Sequence, residues 1–379
     1  MVAALILAAL LAGSLVYCVL TVIAARKYLN VRPPVLRVTP PISVLKPLSG
    51  VDEGLKENLH SFFEQDYPVF EVLFAVRSLS DPAVQIVKDL QSRYPGVPSR
   101  LFITGEPPYP NAKVFSLDRM FKEARYDLLV MSDSDIRVTP DALRTLAAEF
   151  EDTRLGMATC PYRAVPGSSF WSTLEALGLN TEFLGGVLTA RMLDGMKFAL
   201  GPTIAARKET LARIGGLEAV NEFLAEDFVM GKLAAEAGYG VILSSYVIEH
   251  RIGSQPFAAN FRHRLRWNRS TRRSRPWGYL GQVFTNPLPL ALLLCAVRPD
   301  WWPALAVTAM LRTFSAWAVA GWVLQDRLTL RLWWLVPVAD CFSFLSWIAG
   351  FFGNHIRWRD RDYILRADGR YELVQRLES

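Results

Sequence analysis

Cysteine and histidine are both scarce, four of each in 379 residues, and neither is grouped. Cys18, Cys160, Cys295 and Cys341 stand far apart, so their spacing offers neither a disulfide framework nor a zinc ligand set. His60, His250, His263 and His355 are equally dispersed, which argues against a histidine-based metal site. No G-x-G-x-x-G or G-x-x-x-x-G-K-[ST] follows a strand-like run, so dinucleotide and Walker-type phosphate binding lack their signatures. Internal repeats and low-complexity tracts are absent too. The formal net charge is +6, but the basic residues are not interleaved with aromatics as in a nucleic-acid module, and no nucleic acid is expected as a partner.

What the chain does have is apolar sequence in long runs. Half of its residues are hydrophobic and its mean hydropathy is positive, high for a soluble enzyme. Residues 1–25 form an uncharged run long enough to span a bilayer, followed by Arg26, Lys27 and Arg32. A cleavable signal carries its positive charge before the apolar core, so this run reads as an uncleaved anchor with the main domain on the cytoplasmic side. Residues 301–324 and 332–353 are also of spanning length. Residues 284–297 are short and carry two prolines, which suggests an interfacial or re-entrant piece. Two C-terminal crossings return the basic tail (Arg357, Arg359, Arg361, Arg366, Arg370, Arg376) to the cytoplasm, in keeping with the positive-inside bias. Arg312 and Asp340 lie inside apolar segments, where lone charges are costly, and are expected to pair with each other or snorkel.

Between the membrane segments, residues 41–250 alternate two kinds of pattern. Strands are expected at 42–48, 70–77, 100–104, 127–132 and 156–162. Helices are expected at 54–65, 81–94, 113–124 and 140–151. Short apolar runs separated by amphipathic stretches imply an α/β domain with a mainly parallel sheet covered on both faces. Ligands of such sheets lie beyond the carboxyl ends of the strands.

That edge is where the chemistry-bearing residues fall. Asp133-Ser134-Asp135 follows the apolar run LLVM directly. Two carboxylates at i and i+2 can converge on one hard cation, Mg²⁺ or Mn²⁺, beside a diphosphate leaving group. Alone, the pair equally suits a solvated turn. Glu226-Asp227 opens an apolar helical pattern, where a sheltered acid can take a proton from a hydroxyl or simply favour the helix N-terminus. His263, Arg264, Arg266 and Trp267 sit in a strongly basic stretch, suited to diphosphate and sugar contacts or to an interfacial helix on anionic lipid. Asp81 suits a nucleobase contact or a helix cap, and Lys113 a donor phosphate or plain solvent exposure.

The ordered set, together with SVLKPLSGVD (43–52), SDPA (80–83), NAKV (111–114), YDLLVMSDSDIRVTPD (126–141), AEDFVMGK (225–232) and LRW (265–267), resembles the ceramide glucosyltransferase family (glycosyltransferase family 21, related to family 2) over nearly the whole chain. HRLRWNRS and NPLPLALLL are most similar to the bacterial hopanoid-biosynthesis branch. The resemblance implies a GT-A (nucleotide-diphospho-sugar transferase) Rossmann-like sheet plus transmembrane helices. It also implies an inverting transfer from a UDP-sugar, glucose or N-acetylglucosamine, to a ceramide-like or bacteriohopanetetrol-like lipid in the bilayer. It assigns Asp81 to the nucleotide, Asp133 with Asp135 to the metal and diphosphate, and Asp227 to the general base. Arg266 and Trp267 match the end of a [QR]-x-x-R-W motif; His263 stands where that motif begins with Gln or Arg, and Asp135 where animal members have glycine. Lys113, His263 and Arg264 complete the expected donor site. The implied organisation is an anchor at 1–25, a cytoplasmic catalytic domain at 38–283, a membrane region at 284–353 and a basic cytoplasmic tail at 354–379, in a bacterial inner membrane. A processive polysaccharide synthase uses similar motifs, though three spans are few for polymer export. A non-catalytic nucleotide sensor would not need every acid intact.

Overall fold

In the computed structural model, which describes residues 1–358 and 361–374, each of the strand-like runs becomes a strand and each amphipathic stretch a helix. The chain divides into two compact units. A sheet unit comprises Arg32–Tyr162 and Gly195–Gly253; a helical unit comprises Met1–Val31, Arg163–Asp194 and the residues from Ser254 onward. Residues 163–194 and 254–283, inside the range expected for the catalytic domain, therefore group with the N-terminal helix instead. Leu174 and Leu177 of the first stretch pack against Leu335 and Ala339, and Arg264 of the second donates to Leu174 O.

The sheet unit is built on β1 (Ile42–Pro47), β2 (Phe70–Val76), β3 (Ser99–Ile103) and β4 (Leu128–Ser132). These pair in parallel, with Ile42 opposite both Phe70 and Leu128, and Val72 opposite Ser99. β2 and β4 are buried at every position, which is why they read as unbroken apolar runs rather than alternating ones. Thr203–Arg207 joins the other side of β4 antiparallel, then Leu155–Thr159 and Gly240–Leu243 complete seven strands. The helices Leu55–Phe63, Ala83–Arg93, Ala112–Glu123 and Ala142–Glu149 follow β1, β2, β3 and β4. Because β1, β2 and β4 run parallel in register, the turns after Pro47, Val76 and Ser132 all emerge at one edge. Beyond β4, the short strand Ile136–Arg137 pairs antiparallel with Ile248–Gly253, setting His250 opposite Ile136.

Among the described residues of the helical unit, three helices are long and apolar enough to cross a membrane: Val2–Tyr28, Pro299–Val323 and Trp333–Gly350. Pro276–Phe284 and Pro287–Val297 form a pair bent by 59°, the shape of a broken span or a re-entrant loop. Leu11 packs with Leu290, Leu294 and Phe344, and Leu174 with Leu335 and Ala339. The charges inside these segments do pair: Arg312 Nε and Nη2 each lie 2.7 Å from an Asp340 carboxylate oxygen, and Nη2 also donates to Thr181 Oγ1 at 3.2 Å. The expected basic tail is not an extended arm where it is described. His355–Trp358, Arg361–Leu365 and Tyr371–Leu373 form an antiparallel sheet, while Arg359 and Arg376 lie outside the described residues.

Candidate active site

The turn after β4 is held from beneath by a buried lysine. Lys46 lies within β1, fully buried, with its ammonium 4.0 Å from the centre of the Phe62 ring. It donates to Ser132 Oγ at 3.3 Å and to the Asp133 carbonyl. Burial drives its pKa down to about 7, against the opposing pull of Asp133 and Asp135. The backbone of the turn is pinned further: Asp133 N donates to Pro202 O, Asn58 Nδ2 to Ser134 O, and Arg251 N to Asp135 O. Its two carboxylates then face different partners. Asp133 Oδ1 is 2.7 Å from Lys113 Nζ, whereas Asp135 Oδ2 is 3.2 Å from His250 Nε2.

Lys113 also reaches Glu226 Oε1 at 3.1 Å, so one ammonium bridges the β4 turn and the helix Glu226–Glu236. Burial alone would lower its pKa, but Asp133 and Glu226 outweigh burial and hold it above its ordinary value. Asn111 places this lysine. Its side chain caps the helix by accepting from Val114 N at 3.1 Å and donates to Phe223 O at 2.9 Å, tying down the loop that leads into Glu226. Asp227 follows Glu226 in the first turn. Burial, with the Glu226 charge adding to it, raises its pKa to about 6, although Lys113 and the Phe228 and Gly201 backbone amides oppose the rise. Lys113, Asp133, Gly201, Glu226 and Asp227 line one cleft together with Met131, Ile204 and Met230.

Asp135 Oδ1 is buried and has no hydrogen-bond partner among the described residues. Among the described residues, no three His, Cys, Asp or Glu side chains are gathered closely enough to hold a metal by themselves. Two carboxylates with one uncommitted oxygen nonetheless fit a hard cation that takes its remaining ligands from water or phosphate oxygens. Burial raises the Asp133 pKa, while the His250 contact outweighs burial at Asp135 and lowers it to about 2, so the pair share their charge unequally.

Asp81 stands at the same sheet edge, after β2. Its carboxylate accepts from Gly50 N at 2.9 and 3.2 Å and from Ala83 N at 2.9 Å, so it caps a helix and joins two edge loops. Four sequence-predicted residues belong to the helical unit, on the helix Phe257–Ser274. His263 Nδ1 lies 2.9 Å from Glu175 Oε1. Arg264 donates to Ser343 Oγ at 3.0 Å and Leu174 O at 3.2 Å. Arg266 sits over the Trp358 ring at 5.1 Å, and Trp267 packs against His263 and Phe183.

Lys46, Gly201 and His250 take part in this geometry without having been singled out from the sequence, whereas Glu226 and Asn111 are read there within their motifs. Lys46 carried a signal, a lysine inside an apolar strand; Gly201 and His250 carried none. Gly201 yields a direct test. A Cβ there would stand 3.0 Å from Asp227 Oδ2. Gly201→Ala is expected to displace that carboxylate and lower turnover by about 10- to 100-fold, the scale of an ångström-level misplacement. An unchanged rate in a folded variant would show that the placement of Asp227 is immaterial.

With this geometry in view, the fold is that of the GT-A nucleotide-diphospho-sugar transferases. The chain belongs to glycosyl transferase family 21, whose family model matches residues 4–371. It is 29% identical over 230 residues to ceramide glucosyltransferase 1 of Caenorhabditis elegans, covering 60% of this chain and 49% of that protein. With ceramide glucosyltransferase 3 of the same organism it shares 30% identity over 208 residues, 55% of this chain and 45% of that one. The chain thus spans about half the length of these curated relatives. Among solved structures, a mannosyltransferase from Pyrobaculum calidifontis in complex with GDP-Man and Mn²⁺ matches 92% of this chain and 99% of its own, with a TM-score of 0.55 and 18% identity. That likeness concerns the fold.

Proposed function

We propose that the protein is a membrane-anchored inverting hexosyltransferase that moves glucose or N-acetylglucosamine from a UDP-sugar to a hydroxyl of a neutral membrane lipid, ceramide-like or hopanoid-like. One observation carries the reading. A partly buried acid with a raised pKa, Asp227, shares a cleft with the carboxylate after β4 and with a lysine that bridges the two segments. Family membership and the sugar-nucleotide and ceramide chemistry named for its relatives support it.

Asp227 accepts the proton of the acceptor hydroxyl as that oxygen attacks the anomeric carbon. The bond from that carbon to the diphosphate breaks on the opposite face, and configuration inverts. A carboxylate with a pKa near 6 is ionised at neutral pH yet basic enough to take the proton. Lys113, now balanced between two acids, turns part of its charge toward the diphosphate. Asp133 and Asp135 would hold Mg²⁺ or Mn²⁺, which supplies positive charge for the leaving group. Asp81 serves the nucleotide end of the edge. Arg266, with Arg264 and His263 beside it on the basic helix, stabilises the departing UDP, and Trp267 lines the sugar or lipid side; these four roles rest on the family motif. The spans anchor the chain in a bacterial inner membrane with the sheet unit cytoplasmic, a placement supported by Arg26 and Lys27 after the first apolar helix.

The test is purified full-length protein in vesicles containing lipid extract, given UDP-glucose or UDP-N-acetylglucosamine. UDP release with one hexose or N-acetylhexosamine added per lipid is expected by mass spectrometry. Absence of UDP release with either donor, or a ladder of polymer lengths, would overturn the reading.

A further inference from the structure

Lys113, Asp133 and Glu226 all belong to the sheet unit and line the same cleft. Lys113 is the second residue of its helix, and the Asn111 cap fixes the backbone from which its side chain reaches across. Two of its three N–H groups are engaged, by Asp133 Oδ1 at 2.7 Å and Glu226 Oε1 at 3.1 Å, which leaves one for an incoming oxygen. The two acids are not equally open. The Glu226 side chain is 8% exposed and that of Asp133 30%, so an arriving group meets Asp133 first while Glu226 keeps its hold on the ammonium from behind.

The backbone around Asp133 is held on both sides, its N–H by Pro202 O and its carbonyl by Lys46, so the carboxylate can change partner without moving the turn. Asp135, two residues on, keeps Oδ2 on His250, and its Oδ1 has no hydrogen-bond partner among the described residues. The negative charge of Asp133 is thus already balanced by a cation of the chain itself. A divalent ion bound there stands beside that ammonium, and two positive charges on one carboxylate repel. A diphosphate reverses the sign. Its oxygens accept from the ammonium and ligate the ion, so each then favours the other.

We propose that Lys113 is an exchangeable resident cation: it occupies Asp133 until a diphosphate draws it away, so that the divalent ion binds well only together with the nucleotide. The proposal rests on the reading above that Asp133 and Asp135 hold Mg²⁺ or Mn²⁺ beside a diphosphate leaving group, and it adds what regulates that occupation. The cleft then fills with metal and donor as one unit rather than with metal alone. By linkage, the factor by which the diphosphate strengthens ion binding equals the factor by which the ion strengthens diphosphate binding.

The experiment reads binding and needs no turnover. Mn²⁺ is titrated into the full chain in detergent, and free Mn²⁺ is followed by electron paramagnetic resonance. The titration is run alone, with UDP and with uridine monophosphate, correcting for Mn²⁺ held by nucleotide in solution. UDP is expected to tighten Mn²⁺ binding by at least about tenfold and the monophosphate by less than about twofold, within the usual range of coupling between two sites. Lys113→Met is expected to bind Mn²⁺ alone at least about fivefold more tightly than the wild type and to lose most of the UDP effect. A residue that merely shaped the cleft would weaken Mn²⁺ binding when removed. Glu226→Gln leaves the ammonium to Asp133 alone and is expected to bind Mn²⁺ alone more weakly; if Lys113→Met fails to fold, this variant decides. No tightening in a folded Lys113→Met, no weakening in Glu226→Gln, or equal effects of UDP and the monophosphate would overturn the exchange and leave the cation reading standing. Absence of Mn²⁺ binding both with and without UDP would overturn the cation reading and the exchange together.

Discussion

Asp227→Asn is expected to lower sugar transfer by about 10²–10⁴-fold, the usual contribution of a general base, while UDP-sugar binding changes by less than about twofold. The amide keeps the shape of the carboxylate and its place against Gly201 but cannot accept a proton. Equilibrium dialysis with labelled donor, beside initial rates, separates the two effects. The pH profile gives a second signature. Asp227 is pushed from an ordinary value near 3.8 to about 6, first by burial and then by the Glu226 charge, with Lys113 and two backbone amides opposing. Its active form is the carboxylate, so kcat/KM should fall as pH drops through about 6. An acid limb near 4, or near-normal turnover by the asparagine variant, would remove the base assignment.

Arg312→Leu is expected to destabilise the helical unit by about 3–5 kcal/mol, read as a lower midpoint of thermal unfolding in detergent. Arg312 and Asp340 are 4% and 2% exposed at their side chains, so removing the guanidinium strands a carboxylate away from water. The double variant Arg312→Met with Asp340→Leu removes both charges and should recover most of the loss, because a buried pair gains little over apolar packing of similar volume. Wild-type stability in the single variant would show that the pair does not hold these helices. A double variant as unstable as the single one would mean that the fit of the guanidinium, including its bond to Thr181, matters more than its charge.

Much of this site was legible because its parts follow local rules. LLVM ahead of Asp133 reads as a buried strand since both faces of a parallel strand are covered, and an acid after such a strand must lie at the sheet's carboxyl edge. Pairing of Arg312 with Asp340 was expected from the cost of a lone charge in an apolar segment. Other features have no local signature. Asp133 and Asp135, two residues apart, would share a side in extended chain, but the turn at Ser134–Asp135 parts them toward Lys113 and His250. The antiparallel strand Thr203–Arg207 looks like any short apolar run, and its direction is set by the chain's return path.

The sequence by itself determined the elements, the apolar helices and the order of the acids, since these follow from periodicity and the hydropathy of short windows. Only the tertiary structure decided which distant groups share one charge environment: Lys113 between Asp133 and Glu226, Lys46 under the β4 turn, and residues 163–194 with the N-terminal helix. The reason is physical. Burial and Coulombic coupling depend on distance through space, and a chain of 379 residues brings together positions whose separation along it carries no trace of that distance.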